Sequence, residues 1–269
     1  MPHRRRSALS GAAIRFERAS ARYPDADRPA VEDVSFEAAA GELVVLLGPS
    51  GCGKSTLLRT VNRLVPLASG RVVVDGRDVT DIDAVELRRT IGYAIQAVGL
   101  FAHMTVAQNI AVVPSLLGWT RESIRVRVDE LLALVGLDPT RYRDRRPREL
   151  SGGEAQRVGV ARAIAARPRA LLMDEPFGAV DALVRSTLQR ELARIVGELQ
   201  TTTLFVTHDF DEALKLADRI VVMREGGVEQ VATPDDLLAK PATAYVSDLV
   251  HAGDDVYRRY YQHVRETLR

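Results

Sequence analysis

The chain has 269 residues, 46% apolar and 27% charged, with a formal net charge of +1. That balance fits a packed globular chain of one large or two modest domains, and it removes the electrostatic argument for a nucleic-acid partner. A single cysteine, Cys52, excludes an internal disulfide and fits a reducing compartment.

Residues 1–12, with Arg4, Arg5 and Arg6 among small polar neighbours, read as a flexible basic leader. No signal-peptide core follows it, and no apolar run approaches the ~18 residues that span a bilayer, so any membrane role is expected to run through a partner. From about Ile14 strand and helix signals alternate, which predicts a parallel or mixed sheet covered by helices. Glu42–Gly48 is a continuous apolar run ending in glycine, as expected of a strand buried on both faces, and a helix from Gly53 to about Arg63 follows it. Arg71–Val74 and Ile91–Ile95 read as short strands. Between about 97 and 166 the pattern turns wholly helical: Ile124, Val128, Leu131, Leu132 and Val135 keep a 3.6-residue period, opened by Thr120 and closed by Gly136. Ala170–Asp174 and Thr203–Val206 are apolar strands ending in acidic or polar residues, where open α/β sheets bind ligands. Leu188, Leu192, Ile195, Val196 and Leu199 mark another amphipathic helix. Residues 242–269 read as a separate helical extension, with Val256, Tyr257, Tyr260, Tyr261, Val264 and Leu268 on one face.

Gly48-Pro49-Ser50-Gly51-Cys52-Gly53-Lys54-Ser55, followed by Thr56, satisfies the P-loop pattern between a strand and a helix. Its glycines allow a tight loop whose N–H groups face phosphate oxygens, reinforced by the positive end of the next helix. Lys54, one of only three lysines, is placed to reach the β- and γ-phosphates, and the Ser55 hydroxyl to coordinate magnesium. Asp174 ends a strand where a carboxylate can hold magnesium through its water shell, and Glu175 stands one residue beyond, where it can align and deprotonate water. A buried apolar strand rarely ends in two carboxylates unless a cation balances them. These features alone fit many NTPases.

Leu150-Ser151-Gly152-Gly153-Glu154-Ala155-Gln156-Arg157 narrows the choice, because it resembles the signature motif of ABC ATPases. Gln96 matches that family's Q-loop, Gly178–Asp181 its D-loop, Thr207-His208-Asp209 its switch histidine, and Tyr23 the aromatic residue that stacks on adenine. The landmarks run in the family's order from about Ile14 to Pro241. The resemblance implies an α/β P-loop NTPase fold: a RecA-like core with an N-terminal antiparallel β subdomain and an inserted helical subdomain at about 97–166, together spanning 13–241. It implies ATP and Mg2+ as cofactors, with Ser55, Gln96 and Asp174 toward the metal and Lys54, Glu175 and His208 as catalytic residues. Tyr23, Gly48, Ser50, Gly51, Cys52, Gly53, Lys54, Ser55, Thr56 and Gln96 would line the chain's own nucleotide. Ser151, Gly152, Gly153 and Glu154 would meet ATP held by a second copy in a head-to-tail dimer, with Asp181 in the D-loop, giving two identical sites by two-fold symmetry.

Two residues depart from the family's commonest wording. Glu154 stands where glutamine is most frequent, and Val180 replaces the D-loop leucine. Ser151-x-x-Glu154 is also a capping box, so Glu154 is expected to turn back to the Ser151 N–H and leave serine and glycines to the phosphate. The stretch 85–110, with Glu212–Asp218, looks like the osmoprotectant importers of glycine betaine, choline or carnitine. That likeness implies an ATPase peripheral to the cytoplasmic face of the inner membrane, bound to permease subunits and served indirectly by an extracytoplasmic substrate-binding protein. The rival readings are an importer ATPase of another cargo class, such as amino acids, and a non-transport ABC ATPase.

Overall fold

The computed structural model describes residues 11–24, 26–95, 99–178 and 180–252. In chain order the elements are β1 (Ile14–Ala21), β2 (Val31–Ala38), β3 (Leu43–Leu47), α1 (Lys54–Val61), β4 (Ser69–Val74), β5 (Arg77–Asp78), α2 (Ala84–Thr90) and β6 (Ile91–Ala94). Then follow α3 (Val106–Leu116), α4 (Arg121–Leu134), α5 (Pro139–Tyr142) and α6 (Gly152–Ile164), a stretch without strands. The chain continues through β7 (Ala170–Asp174), α7 (Ala182–Leu199), β8 (Thr202–Thr207), α8 (Phe210–Leu216), β9 (Arg219–Arg224), β10 (Gly227–Ala232), α9 (Pro234–Ala239) and α10 (Ala244–Ala252). The Val256–Leu268 face lies outside the described residues, as does most of the leader. Gly11 and Ala12 are tied to the core, their N–H groups donating to the Gln200 and Arg169 carbonyls.

Two sheets build the fold. The larger runs β10-β9-β3-β8-β7-β6, parallel except for the β9/β10 hairpin at its edge. The smaller, β2-β1-β4-β5, is antiparallel. Strand β3 shows why the larger sheet is an interior layer. All five of its residues are buried; Leu43, Val45 and Leu47 join one apolar cluster with α3, α4, α6 and α7, while Val44 and Leu46 join another with α1 and the smaller sheet. A strand alternates faces at every residue, so a run apolar throughout needs cover on both sides.

Local signals set the helix ends. Thr120 accepts from the Ser123 N–H to open α4, and Gly136, at φ +67°, closes it. α1 ends at Val61, short of the expected Arg63. Arg63 adopts a left-handed conformation (φ +55°), and the Leu64 N–H turns back to the Arg59 carbonyl at 2.9 Å. Among the described residues, no helix is long and apolar enough to cross a membrane.

One buried polar side chain organises the segment that leads into α3. Asn109 is fully buried; its amide nitrogen donates to the carbonyls of Phe101 (3.2 Å), Met104 (3.4 Å) and Thr105 (2.9 Å), and its oxygen accepts from the Phe101 N–H at 2.8 Å. Replacing it with leucine leaves the Phe101 N–H and the Met104 carbonyl without this partner, whereas the Phe101 and Thr105 carbonyls still accept the Met104 and Asn109 N–H groups. We expect Asn109→Leu to cost about 1–3 kcal/mol in urea unfolding and to accelerate hydrogen exchange at Phe101 ahead of the rest of the chain.

Candidate functional site

The carboxyl edge of the larger sheet gathers the chemistry. Strands β3, β7 and β8 are neighbours in register, with Leu47 beside Thr207 and Asp174 beside Val206. The residues following each strand therefore open onto one rim, although the P-loop, Asp174–Glu175 and His208 are far apart in sequence.

From β3 the chain turns through Gly48–Gly53 into α1. Gly51 and Gly53 have φ of +81° and +101°, conformations that side chains rarely adopt. A Cβ on Gly48 would lie 2.2 Å from the Met223 carbonyl oxygen, and one on Gly53 2.2 Å from that of Ala30. The loop is thus wedged between β9 and the lead-in to β2. Cys52 is buried there, its carbonyl accepting the Gly226 N–H at 3.1 Å. Lys54 is buried, and its ammonium donates to the Gly48 and Pro49 carbonyls at 2.7 and 2.8 Å. With a third, longer contact to the Cys52 sulfur at 3.8 Å, these bonds fix it across the loop mouth.

Beneath the loop, the Ser55 hydroxyl donates to Asp174 Oδ1 at 2.6 Å. Asp174 is fully buried, and its Oδ2 accepts from Arg59 Nη2 at 3.1 Å. Arg59 Nε reaches the Tyr93 hydroxyl at 3.3 Å. That bond, ahead of the Asp174 charge, holds the guanidinium pKa above its ordinary value, while burial pushes the Tyr93 phenol up against the opposing pull of Arg59. Ser55 and Asp174 present adjoining hard oxygens, the donor type magnesium takes. Among the described residues no set of three or more acidic, histidine or cysteine side chains could hold a metal. Such a pair suits a cation that keeps waters and takes its remaining ligands from phosphates.

Glu175 adopts a left-handed backbone (φ +47°) fixed from both sides: its N–H donates to the Val206 carbonyl at 3.1 Å, and its carbonyl accepts from Gln156 Nε2 at 3.1 Å. A non-glycine residue held this way is a strained position enforced by its surroundings. Its carboxylate lies 3.3 Å from Nδ1 of exposed His208. Tyr23, 41% exposed, faces the first turn of α1 with its hydroxyl 3.3 Å from Thr56 Oγ1. Asp181 caps α7 by accepting the Val184 N–H at 3.1 Å. Gln96 and Ala179 lie outside the described residues.

The signature stands apart. Ser151 caps α6 and Glu154 closes the box, its Oε2 accepting the Ser151 N–H at 2.7 Å. Among the described residues no hydrogen bond or ion pair joins Ser151–Glu154 to Gly48–Thr56. The Gly152 and Gly153 N–H groups, at the helix start, point an anion-binding end outward.

The family profile described as "ABC transporter" matches residues 31–178. The chain belongs to the ABC transporter family. It is 48% identical over 237 residues to the glycine betaine/carnitine/choline transport ATP-binding protein OpuCA of Bacillus subtilis, covering 88% of this chain and 62% of that protein. It is 51% identical over 217 residues to the glycine betaine uptake system ATP-binding protein YehX of Escherichia coli, covering 81% and 70%. The chain spans about six tenths of the length of the first curated relatives it matches. A solved dimer of the ATP-binding cassette MJ0796, in a post-hydrolysis state bound to ADP and Pi, superposes with a TM-score of 0.77 at 29% identity, over 82% of this chain and 98% of that one.

Three members of this family site escape the motif reading: Arg59, Tyr93 and Gln156. Arg59 lies outside every motif, Tyr93 falls within the 85–110 stretch without being singled out there, and Gln156 is part of the signature but bonds to the Glu175 carbonyl. A search for a cation four residues beyond Ser55, on the same helix face, would have found Arg59. Gly53→Ala adds a Cβ against the Ala30 carbonyl at a left-handed φ, a strain of about 1–3 kcal/mol. The variant should bind a fluorescent ATP analogue about tenfold or more weaker.

Proposed function

We propose that this chain is the ATP-binding and ATP-hydrolysing subunit of an ABC importer, working as a head-to-tail dimer on a membrane permease. The observation that carries the reading is the rim at which Ser55, Asp174, Glu175 and His208 converge below a glycine loop, while among the described residues no hydrogen bond or ion pair ties Ser151–Glu154 to that loop. On this reading one chain holds the phosphates and the water-activating groups, and a second copy supplies its signature donors to that nucleotide. The solved MJ0796 dimer supports this arrangement.

The chemistry follows from the positions. The loop amides and the α1 terminus cradle the phosphates, and Lys54, bonded to the Gly48 and Pro49 carbonyls and to the Cys52 sulfur, turns its ammonium from these loop contacts to the phosphates when they arrive. Ser55 and Asp174 would hold magnesium, with Gln96 the further ligand that the family resemblance implies, and the ion would supply charge neutralisation to the transferring phosphoryl. Glu175 takes the proton of the attacking water, its carboxylate aimed by a backbone that neither β8 nor Gln156 lets turn. His208, beside that carboxylate, contacts the γ-phosphate and reports its loss. Tyr23 stacks on the adenine. Asp181 stands at the start of α7 to face the partner, with Val180 buried behind it. Closure on ATP moves the permease, and hydrolysis resets it.

For cargo we infer quaternary-amine osmoprotectants, because OpuCA is named for glycine betaine, carnitine and choline and YehX for glycine betaine. The chain would then sit peripherally at the cytoplasmic face of the inner membrane, reached indirectly by an extracytoplasmic binding protein. Co-purified with its permease, the complex should show ATPase activity stimulated by glycine betaine, choline or carnitine. Stimulation by an amino acid or an oxyanion instead would transfer it to another cargo class.

Glu175→Gln removes the base and keeps the shape. Hydrolysis should fall by about 10²–10⁴-fold, while ATP binding persists and the dimer accumulates on size-exclusion chromatography. Turnover at the parent rate would remove Glu175 from the mechanism.

A further inference from the structure

Glu154 puts a negative charge into a motif whose task is to meet a phosphate, and the structure shows how that charge is restrained. Both carboxylate oxygens are used within the chain. Oε2 accepts the Ser151 N–H at 2.7 Å, and Oε1 accepts the Tyr142 hydroxyl at 2.5 Å. The two groups shift in opposite directions: the Glu154 carboxyl is held below its ordinary value, first by the Tyr142 bond and then by the Ser151 amide, and the same bond raises the Tyr142 phenol. That is the pattern of a neutral donor on an ionised acceptor.

Tyr142 is itself held. It ends α5, whose start is capped by Asp138 accepting the Thr140 N–H at 2.9 Å, and its own N–H donates to the Asp138 carbonyl at 3.0 Å. Its half-buried ring packs against the apolar cluster of the helical region, with the Arg145 guanidinium 4.5 Å from the ring centroid. The residues just after it are tied to α3, the Arg143 and Arg145 carbonyls accepting the Ala107 and Val106 N–H groups at 3.0 and 2.8 Å. The phenol is therefore a fixed post beside the signature.

We propose that Tyr142 is a positioning residue of the signature: its hydroxyl pins the Glu154 carboxylate to its own helix, so that the Ser151 hydroxyl and the Gly152 and Gly153 amides meet the γ-phosphate of a second copy without a competing anion. The inference rests on the ATP-bridged dimer proposed above. Tyr142→Phe keeps the ring and deletes the bond, freeing one oxygen of the Glu154 carboxylate.

The test uses the full chain carrying Glu175→Gln, with ATP-driven dimerisation followed by analytical ultracentrifugation. Adding Tyr142→Phe should raise the ATP concentration for half-maximal dimerisation on the order of 10-fold or more, the scale of one charge-assisted bond. With Glu154→Gln also present, where no charge needs holding, adding Tyr142→Phe should change that concentration by less than about 2-fold. An equal loss in both backgrounds, or none in either, overturns the proposal. A lower thermal midpoint that tracks the loss in both backgrounds likewise assigns Tyr142 a structural role only. A Glu175→Gln parent that stays monomeric at saturating ATP overturns the dimer reading and this inference with it, a result distinct from a dimer that ignores Tyr142.

Discussion

The burial of one carboxylate organises this molecule. Asp174 closes a strand with no exposed residue, and an ionised group there costs several kcal/mol of lost hydration unless it is compensated. The chain meets that requirement with the Ser55 hydroxyl from α1 and the Arg59 guanidinium one turn later, itself fastened to Tyr93 at the end of β6. Three elements are thereby drawn to one point. Because the compensating groups sit on the helix that the P-loop opens, satisfying Asp174 also sets where that loop presents its amides. The donor set that balances the carboxylate is also one that suits a divalent cation with phosphate ligands.

A second constraint is steric. The P-loop has no room around Gly48 and Gly53 because carbonyls of β9 and of the approach to β2 occupy it. The smaller sheet and the β9/β10 hairpin thus act as a mould for a loop that carries few contacts of its own, with Gly226 bonded to Cys52 from the hairpin side. Lys54, bonded to two loop carbonyls, completes the mould from within. Rigidity here matters, since amides already aimed at an anion do not have to be ordered when it arrives.

The helical region obeys a different logic, with polar staples set on an apolar base. Asn109 holds the segment entering α3, and the carbonyls of Arg143 and Arg145 meet the first amides of that helix. Tyr142 carries the chain of contacts on to Glu154 and the start of α6. Residues 101–105 and the signature are in this way connected through short, directional bonds.

Much of the site was legible in the amino-acid order because its parts are local. Glycine spacing sets the P-loop, Ser151 and Glu154 make a capping box, Thr120 and Gly136 bound a helix, and an apolar run ending in Asp174 is a covered strand; each depends on residues within a few positions. The Arg59–Asp174 pair, 115 residues apart, is of another kind, as are the Gln156 bond to the Glu175 carbonyl, the Asn109 staple and the Tyr142 hold on Glu154. Nothing in a residue's own neighbourhood says which distant carbonyl or carboxylate it will meet. Packing of β7 between β6 and β8, and of α6 against α3, decided those partners, because a hydrogen bond needs its two atoms within about 3 Å and only the folded layers bring them there.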